Sequence, residues 1–300
     1  NKETYTHIEN ELKALGYTVD KNIYSPHHIG IPQHRERLFI VGSKNGLNNF
    51  QWPKKNTEKT NINTVLNRTK KSSKIEDTKL EVLSLWQDFL DAIDGKELPC
   101  APIWSMEFGA TYPFEKRTPY ATKNLSGYLG SFGKSLKNSN KDEQLKLLPR
   151  YARKEDIDFP EWKKKYIRNN RKFYEKYKKE LQPIVKKIAL LESESFQKLE
   201  WNIKEIKKNR KISKHLIQFR GSGVRIKKTD FFPSLVTVSA QIPILGKNMR
   251  YLTREEGARL QSMQNIDLPK DLATCFSALG NAVNANIVYK IAEKLLNKEE

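Results

Sequence analysis

The stretch that most restricts how this chain can fold is residues 30–42, Gly-Ile-Pro-Gln-His-Arg-Glu-Arg-Leu-Phe-Ile-Val-Gly. Proline stiffens a turn there, and the apolar run Leu38, Phe39, Ile40, Val41 that follows is strand-forming. Strands are expected over 17–24 and 37–43. The turn between them suits an antiparallel return rather than a crossover helix. Gln33, Arg35 and Arg37 alternate, which predicts that they share one face of the strand entry. Two guanidiniums in that position can fork onto a phosphate or a base carbonyl.

Before this hairpin, Ile8, Leu12 and Leu15 at helical spacing predict a helix over 3–15 that Gly16 stops. After it the composition changes. Residues 53–79 are polar and predict a mobile surface excursion. Leu80, Leu83, Trp86, Phe89, Leu90 and Ile93 predict an amphipathic helix over 80–94. Irregular loops are expected over 98–133, with Trp104, Phe108, Tyr112 and Phe114 as core. Residues 160–210 read as long, very basic helices. Strands return at 214–219 and 231–245, and helices at 253–262 and 283–297 end the chain. No internal repeat is present.

The balance of 55 basic against 35 acidic residues leaves a net charge of +20 and a pI near 9.7. A surplus that large predicts a polyanionic partner, since each neutralised phosphate releases counterions. Membrane surface is disfavoured, because no apolar run approaches the roughly 18 residues of a span. Cys100 and Cys275 are the only cysteines and lack the paired spacing of a zinc site, so no metal is expected. The chain opens on Asn rather than Met, and is expected to have begun upstream.

Three segments carry chemistry. Gln33-x-Arg35-x-Arg37, with Gly16-Tyr17, Ile29-Gly30-Ile31-Pro32 and the strand to Gly42 around it, resembles the eighth motif block of DNA cytosine-5 methyltransferases. Arg250-Tyr251-Leu252-Thr253-Arg254-Glu255-Glu256-Gly257-Ala258-Arg259-Leu260-Gln261 is similar to their ninth block. Physically it is a capping box, Thr253 with Glu256, opening a helix. Arg254 stands where proline is usual, Ser262-Met263-Gln264 replaces Gly-Phe-Pro, and Gly257 in a helix interior predicts a penalty of about 1 kcal/mol against alanine. Ala278-Leu279-Gly280-Asn281-Ala282-Val283 resembles the tenth block, read as a Gly-Asn turn that opens a helix. Asn284 and Asn286 depart from that pattern.

The resemblance implies an α/β fold: part of a doubly wound, Rossmann-like methyltransferase sheet, an inserted α+β target-recognition domain, and a C-terminal helix returning to the sheet. It assigns residues 1–49 to the catalytic domain, 50–245 to recognition, and 246–300 to a supporting helix and the returning helix. It implies methyl transfer from S-adenosylmethionine to carbon-5 of cytosine in duplex DNA, in a bacterial cytoplasm and a restriction–modification system. Arg37 would contact the extruded cytosine, Arg35 would steady backbone or a carboxylate, and Gln33 would hold the turn. Gly280, Asn281 and Ala282 would border the S-adenosylmethionine pocket. For DNA, a glycine loop is expected to carry Arg220 and Arg225 to base edges, Ser234-Leu235 to anchor backbone, and Lys163, Arg168 and Arg171 to meet phosphates.

The family's Pro-Cys and Glu-Asn-Val segments and its glycine-rich cofactor turn do not precede residue 33. Pro99-Cys100 follows the arginine motif and lacks the expected neighbours, so Cys100 is not read as the nucleophile. The catalytic cysteine is therefore expected in a preceding segment or an N-terminal partner subunit. Two rival readings are a non-catalytic DNA-binding module of the same descent and a general RNA-binding basic protein.

Overall fold

Gly16 closes the first helix in the way its backbone freedom allows. It sits at φ +84°, and the amides of Gly16 and Tyr17 turn back onto the carbonyls of Lys13 and Leu12. The computed structural model describes residues 2–67, 73–99, 102–137 and 140–296. Cys100 and the expected end of the last helix at 297 lie outside the described residues.

In chain order the first elements are α1 Lys2–Ala14, β1 Thr18–Tyr24, β2 Arg37–Ser43, α2 Asp77–Ala92, β3 Ile103–Trp104, α3 Lys141–Lys146, α4 Glu161–Lys176 and α5 Lys178–Ile188. There follow β4 Lys198–Trp201, β5 Leu216–Arg220, β6 Gly223–Lys227, β7 Ile244–Leu245, β8 Arg250–Tyr251, α6 Arg254–Leu260, α7 Leu272–Asn281 and α8 Ala285–Leu296. These fall into two compact units. The first is Asn1–Ser73, Thr229–Pro243 and Tyr251–Glu300; the second is Lys74–Lys228 and Ile244–Arg250.

In the first unit β1 and β2 pair antiparallel, from Thr18 opposite Ser43 to Tyr24 opposite Arg37. Tyr24 and Val41 pack with Ile287 and Ile291 of α8 into a small core. Among the described residues this ribbon is the unit's whole sheet, so the parallel crossovers of a doubly wound sheet are not seen here. Within 53–67, residues 54–59 are exposed, as expected of a surface excursion, but the segment is anchored on either side of them. Ile62 and Val65 are buried, Tyr24 Oη donates to the Pro53 carbonyl, and the Asn67 amide donates to Glu256. Residues 231–243 hold no strand beyond a bridge of Phe232 with Gln33, because the Phe232 amide and carbonyl go to the Pro32–His34 turn and Ser239–Gln241 forms a 3-10 turn; the expected strand is found only at Ile244–Leu245.

Gly257 also differs from expectation. A Cβ there would lie 2.9 Å from Leu279 and 3.0 Å from Phe276, so glycine lets α6 lie close on α7. The third terminal helix, α7, is missing from the sequence reading. Its N-cap is Asp271, whose side chain accepts from the Thr274 amide.

The second unit is built on a mixed sheet of order β3-β4-β6-β5-β7, with β4–β6 parallel and β3–β4, β5–β6 and β5–β7 antiparallel. α2 buries Val82, Leu83, Trp86, Phe89 and Leu90, and the Trp86 indole donates to the Phe196 carbonyl. The chain is thus α/β with a mixed sheet. The helical expectation over 160–210 holds only to Ile188, since Lys198–Trp201 is a strand whose Leu199 is fully buried. Trp104 and Tyr112 lie in the unit's core with Leu125, Leu136, Leu148 and Ile167, and Phe114 packs against it.

Candidate functional site

The site grows from the turn between β1 and β2. After Tyr24, Ser25 is fully buried, and its hydroxyl accepts from the Arg35 amide at 2.8 Å. Residues Pro26–Ile29 make one short 3-10 turn, and Gly30 at φ +82° reverses the chain. The His27 amide donates to the Gln33 carbonyl, while the amides of His34 and Phe232 bond to the carbonyls of Phe232 and Pro32. The Ser234 hydroxyl donates to the His34 carbonyl at 3.0 Å. Segment 229–235 therefore clamps the arginine-bearing turn through the main chain.

Arg35 is 6% exposed. Its guanidinium donates to the carbonyls of Leu235 at 2.6 Å, Gly280 at 2.6 Å and Ala282 at 3.2 Å. It thus ties together segments as much as 247 residues apart. Its partners are backbone carbonyls with no carboxylate, and burial, then the Arg37 charge, pushes its pKa down. Gln33 is fully buried, and neither its amide oxygen nor its amide nitrogen has a partner among the described residues. Arg35 Nε and His27 Nδ1 are unpartnered in the same turn. Buried polar atoms left so carry a penalty of about 1–3 kcal/mol each, a tension usual where a ligand or partner completes a site.

Arg37 opens β2 and is exposed, its Nη1 donating to the carbonyl of Glu36 at 2.7 Å. Gln33, Arg35 and Arg37 do not share one face as the alternation predicts. Gln33 and Arg35 precede the strand and turn inward, and Arg37 alone of the three reaches solvent. Arg35 and Arg37 both line a narrow crevice with Tyr24, Phe39, Val283 and Asn284.

The Gly280-Asn281 pair closes α7 rather than opening a helix. A Cβ on Gly280 would lie 2.6 Å from the Val236 carbonyl carbon, so this glycine admits main chain, not a ligand. The carbonyls of Gly280 and Ala282 are taken by Arg35, and the Asn281 side chain is the exposed member of the three. Asn284 caps α8 instead. Its Oδ1 accepts from the Ile287 amide, and its Nδ2 donates to the Leu260 carbonyl at 2.9 Å. The sequence marks Asn284 only as a departure from the tenth-block pattern, though an Asn just before an apolar-periodic run is also an N-cap signal.

The residues expected on DNA divide. Ser234 and Leu235 belong to the arginine turn just described. Arg220 and Arg225 are not on a flexible loop: they sit on β5 and β6, joined by the two residues Gly221 and Ser222. Arg225 Nε donates to Glu200 at 2.8 Å, and Arg220 reaches the same carboxylate at 3.4 Å.

Lys163 is buried over the Phe159 ring and bonds the Tyr151 carbonyl, and burial lowers its pKa. Arg168 holds Glu115 through two bonds at 2.7 and 2.6 Å. Arg171 donates to fully buried Glu107 at 2.9 Å and to the Tyr112 carbonyl. Lys163 and Arg171 point at their own fold, because amphipathic α4 turns them toward its packed face, whereas Arg168 makes a surface ion pair; Lys165, Lys172 and Lys176 are exposed cations of the helix.

Cys275 is fully buried in α7, and burial raises its thiol pKa, the reverse of what a thiolate nucleophile needs. Among the described residues no cluster of His, Cys, Asp or Glu could hold a metal ion, and no helix is long and apolar enough to cross a membrane.

Residues 1–297 match the family model described as C-5 cytosine-specific DNA methylase. The chain is 28% identical over 149 residues to the type II methyltransferase M.AluI of Cellulosimicrobium cellulans, an alignment covering 48% of this chain and 28% of that protein. It is 41% identical over 69 residues to M.BsuFI of Bacillus subtilis, covering 22% and 17%. The matched stretches span less than a third of these relatives' lengths. Against the solved Entamoeba histolytica methyltransferase EhMeth, 98% of this chain aligns with 59% of that one at 14% identity and a TM-score of 0.39, too slight a likeness to build on.

Proposed function

This chain belongs to the C-5 cytosine-specific DNA methylase family, and from that premise we propose that it is the C-terminal part, or a C-terminal subunit, of a type II restriction–modification methyltransferase acting on DNA in a bacterial cytoplasm. The first unit borders the reacting base and the cofactor, and the second chooses the DNA sequence. The observation that carries this reading is the three-carbonyl grip of Arg35. It brings the arginine motif and the Gly280–Ala282 turn to one place, where Arg37 lines the adjoining crevice.

The family's methyl donor is S-adenosylmethionine, which supplies the methyl group transferred to carbon-5. Asn281 is the residue of the 280–282 turn whose side chain is exposed to meet it. Gly280 and Ala282 act on that contact by fixing the turn through Arg35. The Arg37 guanidinium would donate to the carbonyl oxygen of an extruded cytosine and stabilise charge developing on the ring. Gln33, with both amide atoms buried and unpartnered, would complete its bonds when the rest of the site is assembled.

The nucleophilic thiolate that attacks carbon-6 is proposed to come from outside this sequence, in a preceding segment or an N-terminal partner. Buried Cys275 does not suit that role, and Cys100 lies outside the described residues.

The test is complementation with a methyltransferase N-terminal part carrying the Pro-Cys and Glu-Asn-Val segments. Methyl transfer to duplex DNA is expected only in the mixture. Arg37→Ala should then lower turnover about 10²–10³-fold, with DNA affinity changed far less. Equal losses in turnover and affinity would remove Arg37 from the chemistry. Duplex binding with no methyl transfer after complementation would favour the non-catalytic DNA-binding reading.

A further inference from the structure

Strand alternation in the second unit collects a charge cluster that the sequence scatters over thirty residues. On one face of the β4–β6–β5 ribbon, Glu200 stands opposite Arg225, which stands opposite Gln218; one rung away Arg220 faces Gly223. Lys198 belongs to the same face of β4, and Lys227 to the same face of β6. Gly223 contributes no side chain, and a Cβ there would lie 2.8 Å from the Lys198 Cβ and 3.0 Å from its carbonyl oxygen, so the glycine lets β6 lie close against β4 beside the cluster. Four cations thus share one sheet face with one carboxylate.

Arg220 and Arg225 draw on the same carboxylate, Glu200. The side chains of Arg220, Arg225 and Glu200 are only 28%, 25% and 22% exposed, so solvent screens the like charges poorly. Burial, then neighbouring Arg225, pushes the pKa of both Arg220 and Lys227 down, and burial does the same to Lys198. Glu194, which bears on Lys198, is already paired with Arg150 and Arg153. Glu200 is held below the usual carboxylate range: burial opposes this, but the bonds from Arg225 and Asn202 and the arginine charges outweigh it. One carboxylate serves both arginines.

We infer that this sheet face, rather than helix α4, is the phosphate-binding surface of the second unit, and that Glu200 is a built-in competitor that Arg220 and Arg225 must exchange for the DNA backbone. The inference rests on the reading of this unit as the DNA-recognising part. Glu200 acts here as a positioning residue. By occupying both guanidiniums it weakens attachment to DNA that cannot offer well-placed phosphates, and so raises selectivity without touching a base.

Binding of the full chain to a fluorescent ~30-bp duplex across a salt series tests this, with circular dichroism confirming folding. Arg220→Gln and Arg225→Gln should each weaken binding roughly fivefold at about 0.15 M salt and reduce the log–log salt slope by about 0.9, while Arg225→Lys keeps the slope. Glu200→Gln should tighten binding to random duplex severalfold, and Lys172→Gln on α4 should leave the slope unchanged. Folded arginine variants with unaltered slope, or weaker binding by Glu200→Gln, would overturn the inference. These readings need neither cofactor nor partner. A complemented mixture that fails to transfer methyl groups while the binding pattern holds would sink the methyltransferase reading alone.

Discussion

Arg35 and Arg171 are both largely withdrawn from water, yet their surroundings neutralise them in opposite ways. Arg171 meets a full negative charge: Glu107, fully buried, also accepts from the hydroxyls of Tyr112 and Tyr151. Arg35 meets dipoles only, three main-chain carbonyls from two distant segments. Matched by a fully buried carboxylate, Arg171 becomes closed core. A guanidinium matched by carbonyls keeps its charge and fixes several backbones at once, which suits a site that must face an anionic substrate. Arg210, fully engaged by the carbonyls of Ile93, Lys96 and Ile206, shows the second solution used for a loop in the other unit.

The comparison can be broken most directly at Arg171. Arg171→Met leaves Glu107 buried and unmatched, and urea unfolding should show a loss of about 3–5 kcal/mol, much of it recovered in Arg171→Met/Glu107→Leu. Arg35→Met removes bonds but also an uncompensated charge, so the loss should be smaller, about 2 kcal/mol. A larger loss at Arg35 than at Arg171 would reverse the distinction.

Gly257→Ala sharpens it by testing packing without charge. Helix propensity predicts a gain, whereas the contacts with Leu279 and Phe276 predict a loss of about 1–3 kcal/mol in thermal unfolding. Thr253→Ala, which removes the capping box at the start of α6, should cost about 1 kcal/mol.

The smallest effect is on pH. Burial lowers the pKa of His27 and His28 in the first unit and His215 in the second. The unfolded chain therefore binds protons that the folded chain refuses. Stability should hold above the ordinary imidazole value of about 6.5 and fall as pH drops through it, seen as a decline in Tm between about pH 7 and 5.5. A Tm that rises on acidification over that range would contradict the burial of these rings.

Local elements were legible where local chemistry decides them. The hairpin strands, the Gly16 stop, helix α2 and the Thr253–Glu256 capping box need only periodicity, turn residues and side-chain reach. The misreadings share a different cause. The Gly221-Ser222 turn read as a loose loop because the pairing of Arg220 with Gly223 depends on β4 and β7 flanking the hairpin. Segments 53–67 and 231–243 read as excursion and strand because their hydrogen-bond partners lie far away in sequence. Lys163 and Arg171 read as phosphate ligands because composition records charge but not the ring or carboxylate that each meets in the core.

What the amino-acid order alone determined was the family, through three short segments whose residue types survive without any knowledge of contacts, together with the basic character of the chain. What only the tertiary structure decided was the use of each charge. Coulomb and hydrogen-bond energies depend on separation and burial, and those are set by which segments meet. The sequence therefore shows that Arg35, Arg37 and Gly280 are present. Only folding makes the first a tie for the third and leaves the second facing outward.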